Sequence, residues 1–273
     1  MNMETLQMIR NESMAKSFLF ENGILRATRP CTLCGSTRIV ISPRGRHSCS
    51  DCGFSWGLRH GSIIENTHLT YLQFIRTTRY FADGVPPAEA AERLGTDLIT
   101  VDSMYHRIRE TLLNGSAGTA AMQGHRENYG TLTVPESPGK DPVSFGIRIW
   151  QDSVSIDPLD PETPDILTAL EVPRIIRGNI IFIDVREKKY HGLIAYLPNY
   201  MNQETIVYRP KNREPWPPLM VFWKYAETVW SHHRYMERAQ IPEFVQEIAF
   251  RYNHRHMDMF HAILGMIAEH EYA

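Results

Sequence analysis

The sequence predicts an α+β protein of several domains, in which a cysteine-rich domain and a helical segment precede a mixed α/β domain. Three observations predict this organisation. All four cysteines lie in two matched pairs that flank a short predicted hairpin, helical periodicity follows them, and a series of β-rich runs appears after residue 130. A chain of 273 residues, 42% of them hydrophobic, is long enough to bury more than one core.

We expect five segments along the chain. They are an N-terminal helix over residues 1–22, the cysteine-rich domain over 23–62, helices over 63–115, a linker over 116–130 and the α/β domain with C-terminal helices over 131–273. The linker is assigned because its stretch is rich in Gly, Ala, Ser and Thr and has no apolar periodicity.

Composition and charge exclude several classes of protein. The longest apolar runs, such as Ile180–Ile183, fall far short of the ~20 residues that a membrane helix needs, so we expect no membrane partner. Charged residues interrupt the first 22 positions, which argues against a signal peptide. We therefore expect a reducing compartment: cytoplasm or nucleoid, or the nucleus in a eukaryotic host.

The cysteines form the most specific motif. Cys31 and Cys34 make one pair, fourteen residues follow, and Cys49 and Cys52 make the second. A two-residue gap lets both thiolates of a pair bind one ion, and two pairs complete the tetrahedron of a structural zinc site. Two disulfides or a redox pair are the alternatives, which the reducing compartment disfavours. The segment is interpreted as a zinc ribbon whose metal serves folding.

Charge within the ribbon indicates a nucleic-acid partner. The chain has a formal net charge of −2, whereas residues 23–62 hold six arginines and one acid, Asp51, a local balance of 6 − 1 = +5. Such a patch attracts phosphates and releases their counterions. The candidate DNA contacts in the ribbon are Arg38, Arg44, Arg46 and Arg59.

The next segment predicts a helix-turn-helix. Apolar spacing predicts helices over Thr67–Ala82 and Ala88–Leu94, and a third that begins after Thr96 or Asp97 and includes Leu112. A short helix, a glycine turn and a second helix is the layout whose second helix enters the major groove. Thr100, Ser103, His106 and Arg107 lie off its apolar face and are candidates for DNA contact. An ordinary three-helix bundle is the alternative.

The C-terminal half alternates strands and helices. Strands are predicted at Leu132–Val134, Val143–Trp150, Ser153–Ile156, Ile180–Val185 and Thr205–Tyr208, and helices at Pro164–Leu170, Glu187–Leu197, Leu219–His233, Ile241–Arg255 and Met257–His270. This order predicts a ribonuclease-H-like core, which performs phosphodiester chemistry with two metal ions held by three carboxylates. Asp184, at the end of its strand, fits the second carboxylate position.

Three stretches carry a resemblance to a known family. They are Phe18–Leu25 with the ribbon and Leu58–Ser62, then Asp184–Leu193, then Phe222–Lys224 with Phe244–Glu247 and Phe250–Asn253. In this order they resemble the Merlin superfamily of transposases and their ISXO-type insertion-sequence relatives, over nearly the whole chain. The resemblance implies a DDE-type transposase that cuts and joins DNA with Mg²⁺ or Mn²⁺.

Two positions depart from the family pattern. Pro135 stands where the family has its first catalytic Asp, and Met220 stands where it has a Glu or Asn. Asp184 alone cannot hold two magnesium ions, because each demands near-octahedral oxygen ligation. Glu136 and Glu227 are the acids that could substitute. Mg²⁺ or Mn²⁺ is therefore expected only if the chain is catalytically active.

The sequence leads to three hypotheses. The first is a domesticated transposase: a sequence-specific DNA-binding protein without strand-cleaving activity that regulates transcription or chromosomes. The second is an active transposase with displaced acids, and the third is an interaction scaffold that contacts the transcription machinery. Double-stranded DNA is the expected partner, and the amphipathic final helices predict a homodimer.

Overall fold

The computed structural model describes residues 9–26, 29–43, 45–116, 143–158, 180–183, 192–196, 207–208, 217–231 and 240–270. The chain divides into two compact units, one formed by residues 1–118 with 257–273 and the other by 119–256. Within the described ranges there are seven helices and two sheets, which confirms the predicted mixture of helix and strand. None of the described helices is long and apolar enough to cross a membrane.

The first unit begins with helix α1, Glu12–Glu21. Asn11 caps it, because its side chain accepts a hydrogen bond from the Met14 amide at 2.9 Å. Phe18 and Leu19 form its buried face. The chain then turns at Gly23, where φ is +72°, so that Ile24 and Leu25 return to the same core.

A three-stranded antiparallel sheet carries the cysteines. Its strands are β1 (Ile39–Ile41), β2 (His47–Cys49) and β3 (Ser55–Trp56), in that order across the sheet. Strands β1 and β2 form a hairpin in which Ile39 lies opposite Cys49 and Ile41 lies opposite His47. Strand β3 was not predicted, because two residues are too few to show an alternating pattern.

Helices α2 (Tyr71–Ala82), α3 (Pro87–Leu94) and α4 (Leu98–Ser116) follow. Thr70 and Gln73 form a capping box at the start of α2, and Gly95 ends α3 in the left-handed conformation. Asp97 precedes α4 and accepts hydrogen bonds from the backbone and hydroxyl of Thr100, each at 2.7 Å. The predicted helices are present, and residues 117–130 of the predicted linker lie outside the described part.

Helix α7, Met259–Glu269, belongs to this first unit. It packs against α2 and α4, and Phe260 stacks on Phe18 with ring centroids 6.3 Å apart. The sequence prediction had grouped residues 257–273 with the α/β domain. The structure differs because the apolar face of α7 completes the core of the N-terminal helices, a pairing that order along the chain does not reveal.

The second unit is built on a five-stranded sheet. Its strands are β4 (Val143–Trp150), β5 (Ser153–Pro158), β6 (Ile180–Ile183), β7 (Gly192–Tyr196) and β8 (Val207–Tyr208). Their order across the sheet is β5-β4-β7-β6-β8, and every pair is antiparallel except β6 with β8. The predicted strand Leu132–Val134 and helix Pro164–Leu170 lie outside the described residues.

The helix predicted at Glu187–Leu197 is wrong. Residues Gly192–Tyr196 form β7, which pairs with β4 on one side and β6 on the other. Hydrogen bonding to two neighbouring strands overrides local helical preference here, and the register sets Ile194 beside both Phe145 and Phe182. Pairing with β4 and β6, and not the local sequence, thus decides where this five-residue strand forms.

Helices α5 (Pro217–Ser231) and α6 (Ile241–Asn253) cover the β4–β5 part of the sheet. Alternate residues of β4 point inward, as the two-residue period of a strand requires. The resulting core consists mainly of Phe145, Ile147, Ile149, Val154, Ile156, Leu219, Phe222, Trp223, Phe244, Val245 and Ile248. The predicted helices at 219–233 and 241–255 are therefore confirmed within two residues at each end.

Candidate metal centre and nucleic-acid interface

The four cysteines meet at one point of the first unit. The Sγ atoms of Cys31 and Cys52 are 3.5 Å apart, those of Cys34 and Cys49 are 3.6 Å apart, and all four lie within 4.8 Å of one another. A tetrahedral zinc with Zn–S bonds of ~2.3 Å separates its sulfurs by about 3.8 Å. The four thiols are unbridged, so the cluster has the donor set and spacing to bind one zinc ion.

Two matching turns present these thiols. The Gly35 amide donates to the Cys31 carbonyl at 2.8 Å, and the Gly53 amide donates to the Cys49 carbonyl at 3.0 Å. Both glycines have positive φ, +73° and +75°, a conformation that costs residues with a Cβ more than glycine. The glycine that follows each cysteine pair is thus required by the turn.

The protonation of the thiols reflects their crowding. The Cys52 amide, which donates to the Cys49 sulfur, lowers the pKa of Cys49 to about 7. The Ser36 amide favours the Cys34 thiolate, but contact with the Cys52 thiol and its neighbours raises the pKa of Cys34 to about 12. Four thiolates this close together would repel one another, and a bound divalent cation would offset that repulsion.

Aromatic side chains support the cluster from beneath. Cys31 and Cys49 are buried with Trp56, and Phe54 packs against them. The Trp56 ring stacks on Phe54 at 5.4 Å and on His47 at 5.8 Å. This small apolar core, which the cysteine spacing did not predict, packs the cysteine turns against strands β1 and β3.

His60 connects the first cysteine turn to the segment that leads into α2. One ring nitrogen lies 3.0 Å from the Thr32 hydroxyl, and the other lies 2.7 Å from a Glu65 carboxylate oxygen. The second oxygen of Glu65 accepts from the Gly61 amide at 2.5 Å. This chain of hydrogen bonds joins the metal-binding turn to residues 60–65, and its residues lie in or beside the quoted Leu58–Ser62 stretch.

The ribbon arginines occupy two kinds of position. Arg38 is 73% exposed and forms an ion pair with Asp51, whereas exposed Arg46 donates from Nε to the Ser55 hydroxyl at 2.8 Å. Arg59 instead donates to the carbonyls of Thr67 and Leu69 at 3.2 and 2.8 Å. Arg44 lies outside the described residues. Among the described candidates, Arg38 and Arg46 offer surface charge, and Arg59 holds the backbone ahead of α2.

The candidates on α4 divide in the same way. Ser103 is exposed, Thr100 bonds to the cap, and His106 lies 3.5 Å from Glu110 one turn later. Arg107 donates to the carbonyls of Ile63 and Glu65, at 3.0 and 2.7 Å. The Arg107 guanidinium therefore ties α4 to the ribbon segment, a structural role that its place off the apolar face did not indicate.

Only part of the predicted catalytic set lies in the described structure. Pro135, Glu136 and Asp184 are outside it. Met220 is partly buried and packs against the core of the second unit, so an apolar side chain fills this position. Glu227 lies on the same helix, half-buried and seven residues further, which is about 10 Å along the axis.

Lys16 and Tyr71 were not among the residues predicted to contact DNA. Both line a cleft beside the β1–β2 hairpin, together with Arg46. In the sequence, a lysine at a polar position of α1 was the only sign of this cleft, and many surface helices carry such a lysine.

No family model, no curated protein and no solved structure matches the chain.

Proposed function

We propose that the chain is a zinc-dependent, sequence-specific DNA-binding protein, derived from a transposase of the Merlin and ISXO type and without strand-cleaving activity. The proposal rests on the close approach of four cysteines within a unit that also contains exposed arginines and helices α3 and α4. Regulation of transcription or of chromosomes is the role we infer for such a protein.

The metal is proposed as structural. Four thiolates fill the tetrahedral sites of zinc, which leaves no position at which water could be activated. The β1–β3 sheet has eight residues in its strands and a core of few side chains, so metal binding is the main source of its folding free energy.

DNA binding is proposed through two surfaces of the first unit. Arg38 and Arg46 supply positive charge for phosphates, and the exposed Ser103 on α4 is available to a groove. The layout of α3, Gly95 and α4 supports a helix-turn-helix assignment. Arg59 and Arg107 contribute by holding the segment between ribbon and α4 in place.

Loss of cleavage is proposed because of Met220. A thioether packed against a hydrophobic core provides no hard oxygen ligand for Mg²⁺. The active-transposase alternative relies on Glu136, which lies outside the described residues, or on Glu227, which is half-buried on the same helix as Met220. A scaffold function is the third possibility, favoured by the exposure of Trp150 and Val221 in the second unit, at 64% and 57%.

A homodimer remains a prediction, but the helix faces expected to form it are packed within the chain. The buried faces of α6 and α7 pack within the chain, against the sheet and against α1, α2 and α4 respectively. These helices therefore do not leave the predicted apolar surfaces available for a second copy.

Duplex binding as a function of salt tests the proposal. Zinc-loaded protein should bind a pool of duplexes, and Arg38→Ala should weaken binding to all of them and reduce the salt slope by about one. Arg93→Ala, an exposed arginine paired with Glu89 on α3, is the matched control for loss of charge. With Mg²⁺ or Mn²⁺ the bound DNA should stay intact, and cleavage that Asp184→Ala abolishes would establish the active-transposase alternative instead.

A further inference from the structure

A cleft opens between α1, the β1–β2 hairpin and the beginning of α2. Its volume is about 730 Å³, and Lys16, Phe20, Ile41, Arg46, His47 and Tyr71 are among its lining residues. A second depression of about 540 Å³ shares Arg46 and Tyr71 with it. The cleft lies within the first unit, and none of the four cysteines is among its lining residues.

The charge of the cleft has one sign. Lys16 and Arg46 line it, and none of its described lining residues is acidic. Arg46 is held in place by Ser55, because Nε donates to the hydroxyl at 2.8 Å and Nη2 to the carbonyl at 3.5 Å. Two cations without a carboxylate between them favour an anionic ligand, and phosphate suits a guanidinium with a fixed orientation.

The walls of the cleft include aromatic surface. Phe20 and Tyr71 are each half-buried, and both line the cleft. The Arg59 guanidinium lies 4.8 Å from the centroid of the Tyr71 ring and fixes the ring through a cation–π contact. The Lys16 ammonium lies 6.0 Å from the centroid of the Phe20 ring. Aromatic rings beside cations form the combination that holds single-stranded nucleic acid, with bases stacked and phosphates paired.

We propose that this cleft binds a nucleotide unit of single-stranded DNA, with the base against Phe20 and Tyr71 and the phosphate between Lys16 and Arg46. The volume is within the range of small-ligand pockets, and a paired base cannot reach these rings without leaving its stack. A free phosphate would use the cations but not the rings. The inference rests on the proposed function only in taking DNA as the ligand.

The test measures, by fluorescence anisotropy, the affinity of the zinc-loaded full chain for a labelled oligonucleotide of ten thymidines. Lys16→Ala should weaken binding about tenfold, and Tyr71→Leu should weaken it by a similar factor, since each removes one of the two kinds of contact. Arg76→Ala, an exposed cation on α2 that does not line the cleft, is the matched control and should change affinity less than twofold. Unlabelled thymidine monophosphate should compete better than inorganic phosphate.

Several outcomes would overturn the inference. Equal affinities of Lys16→Ala and Arg76→Ala for the oligonucleotide would show that the cleft does not bind it. If inorganic phosphate competed as well as thymidine monophosphate, the base would make no contact in the cleft. Parallel titration with duplex separates the two proposals. Duplex binding without oligonucleotide binding refutes the cleft and leaves the proposed function standing, whereas oligonucleotide binding lost in Lys16→Ala without any duplex binding supports the cleft and refutes the proposed function.

Discussion

The side-chain amide of Asn253 pairs with both backbone groups of Val154, 99 residues earlier in the chain. Its Oδ1 accepts from the Val154 amide at 2.7 Å, and its Nδ2 donates to the Val154 carbonyl at 2.8 Å. On the same helix Gln246 donates to the Ile156 carbonyl at 2.7 Å. Among the described strands β5 is the outermost, so these amides pair with backbone groups that a further strand would otherwise bond. The terminal stretch quoted for the resemblance therefore has a structural role.

Asn253→Ala should destabilise the β5 edge by about 1–3 kcal/mol, since it leaves two backbone groups of Val154 without their partner. The measurement is hydrogen exchange of the Val154 amide, which should lose protection. His256→Ala changes an exposed neighbour of α6 and should leave that exchange rate unchanged. An unaltered Val154 exchange rate in Asn253→Ala would contradict the pairing.

The ion pair of Glu247 and Arg251 predicts a larger effect. The Arg251 Nε donates to the Glu247 carboxylate at 2.6 Å, and the side chains are only 9% and 2% exposed, respectively. Glu247→Leu should cost about 3–5 kcal/mol, because it removes a carboxylate that a buried guanidinium contacts directly. Arg93 and Glu89 have the same spacing on α3 but are exposed, so Arg93→Ala should cost less than about 1 kcal/mol. Urea-induced unfolding compares the two, and equal costs would contradict the importance of burial.

Glu12 predicts a pH-dependent contribution to stability. Its carboxylate accepts from the Tyr71 and Leu72 amides at 3.0 Å, at the positive end of the α2 dipole. Burial raises the pKa of Glu12, but hydrogen bonds from Thr70, Leu72 and Tyr71 outweigh it and hold the pKa below its usual 4.5. A lowered folded-state pKa means that the stabilisation is present above pH 4.5 and disappears as pH falls through the folded-state value.

Glu12→Gln should therefore unfold more easily than the wild type at pH 7, by about 0.5–1 kcal/mol. The two stability curves should converge as pH is lowered well below 4.5. Glu21→Gln, at the other end of α1, is the control and should not reproduce this pH dependence. Parallel curves for Glu12→Gln and wild type over the whole range would rule out the carboxylate's contribution.

The cysteine cluster predicts one zinc ion for each chain. Cys34→Ser alters an exposed thiol, so it should abolish stoichiometric zinc without removing any buried apolar group. Ser50→Ala, a nearby exposed change, should retain the metal. Elemental analysis gives the stoichiometry, and cobalt substitution should produce the absorption of a tetrahedral tetrathiolate. Zinc retained in full by Cys34→Ser would contradict the assignment of all four ligands.

The features best predicted from the sequence are those that depend on local spacing. The cysteine pairs require no distant partner to define them, and Gly35 and Gly95 end their turns by their own conformational freedom. Helices α2, α3 and α4 were likewise predictable, because apolar periodicity and caps lie within each segment.

The features missed depend on partners far along the chain. Strand β7 exists because β4 and β6 flank it, and α7 joins the first unit because its apolar face meets Phe18. Arg107 was interpreted as a DNA contact, yet its guanidinium bonds to the carbonyls of Ile63 and Glu65. Periodicity shows which side of a helix is polar, but not whether that side faces solvent or another backbone.

Selection of bound sequences from a random pool of duplexes, by the zinc-loaded full chain, tests whether the protein recognises a DNA sequence. One sequence motif should become enriched, chelation of zinc should abolish the enrichment, and Ser103→Ala on α4 should relax the preference at particular bases. A pool that remains random under zinc-loaded conditions would contradict the assignment of sequence-specific DNA binding.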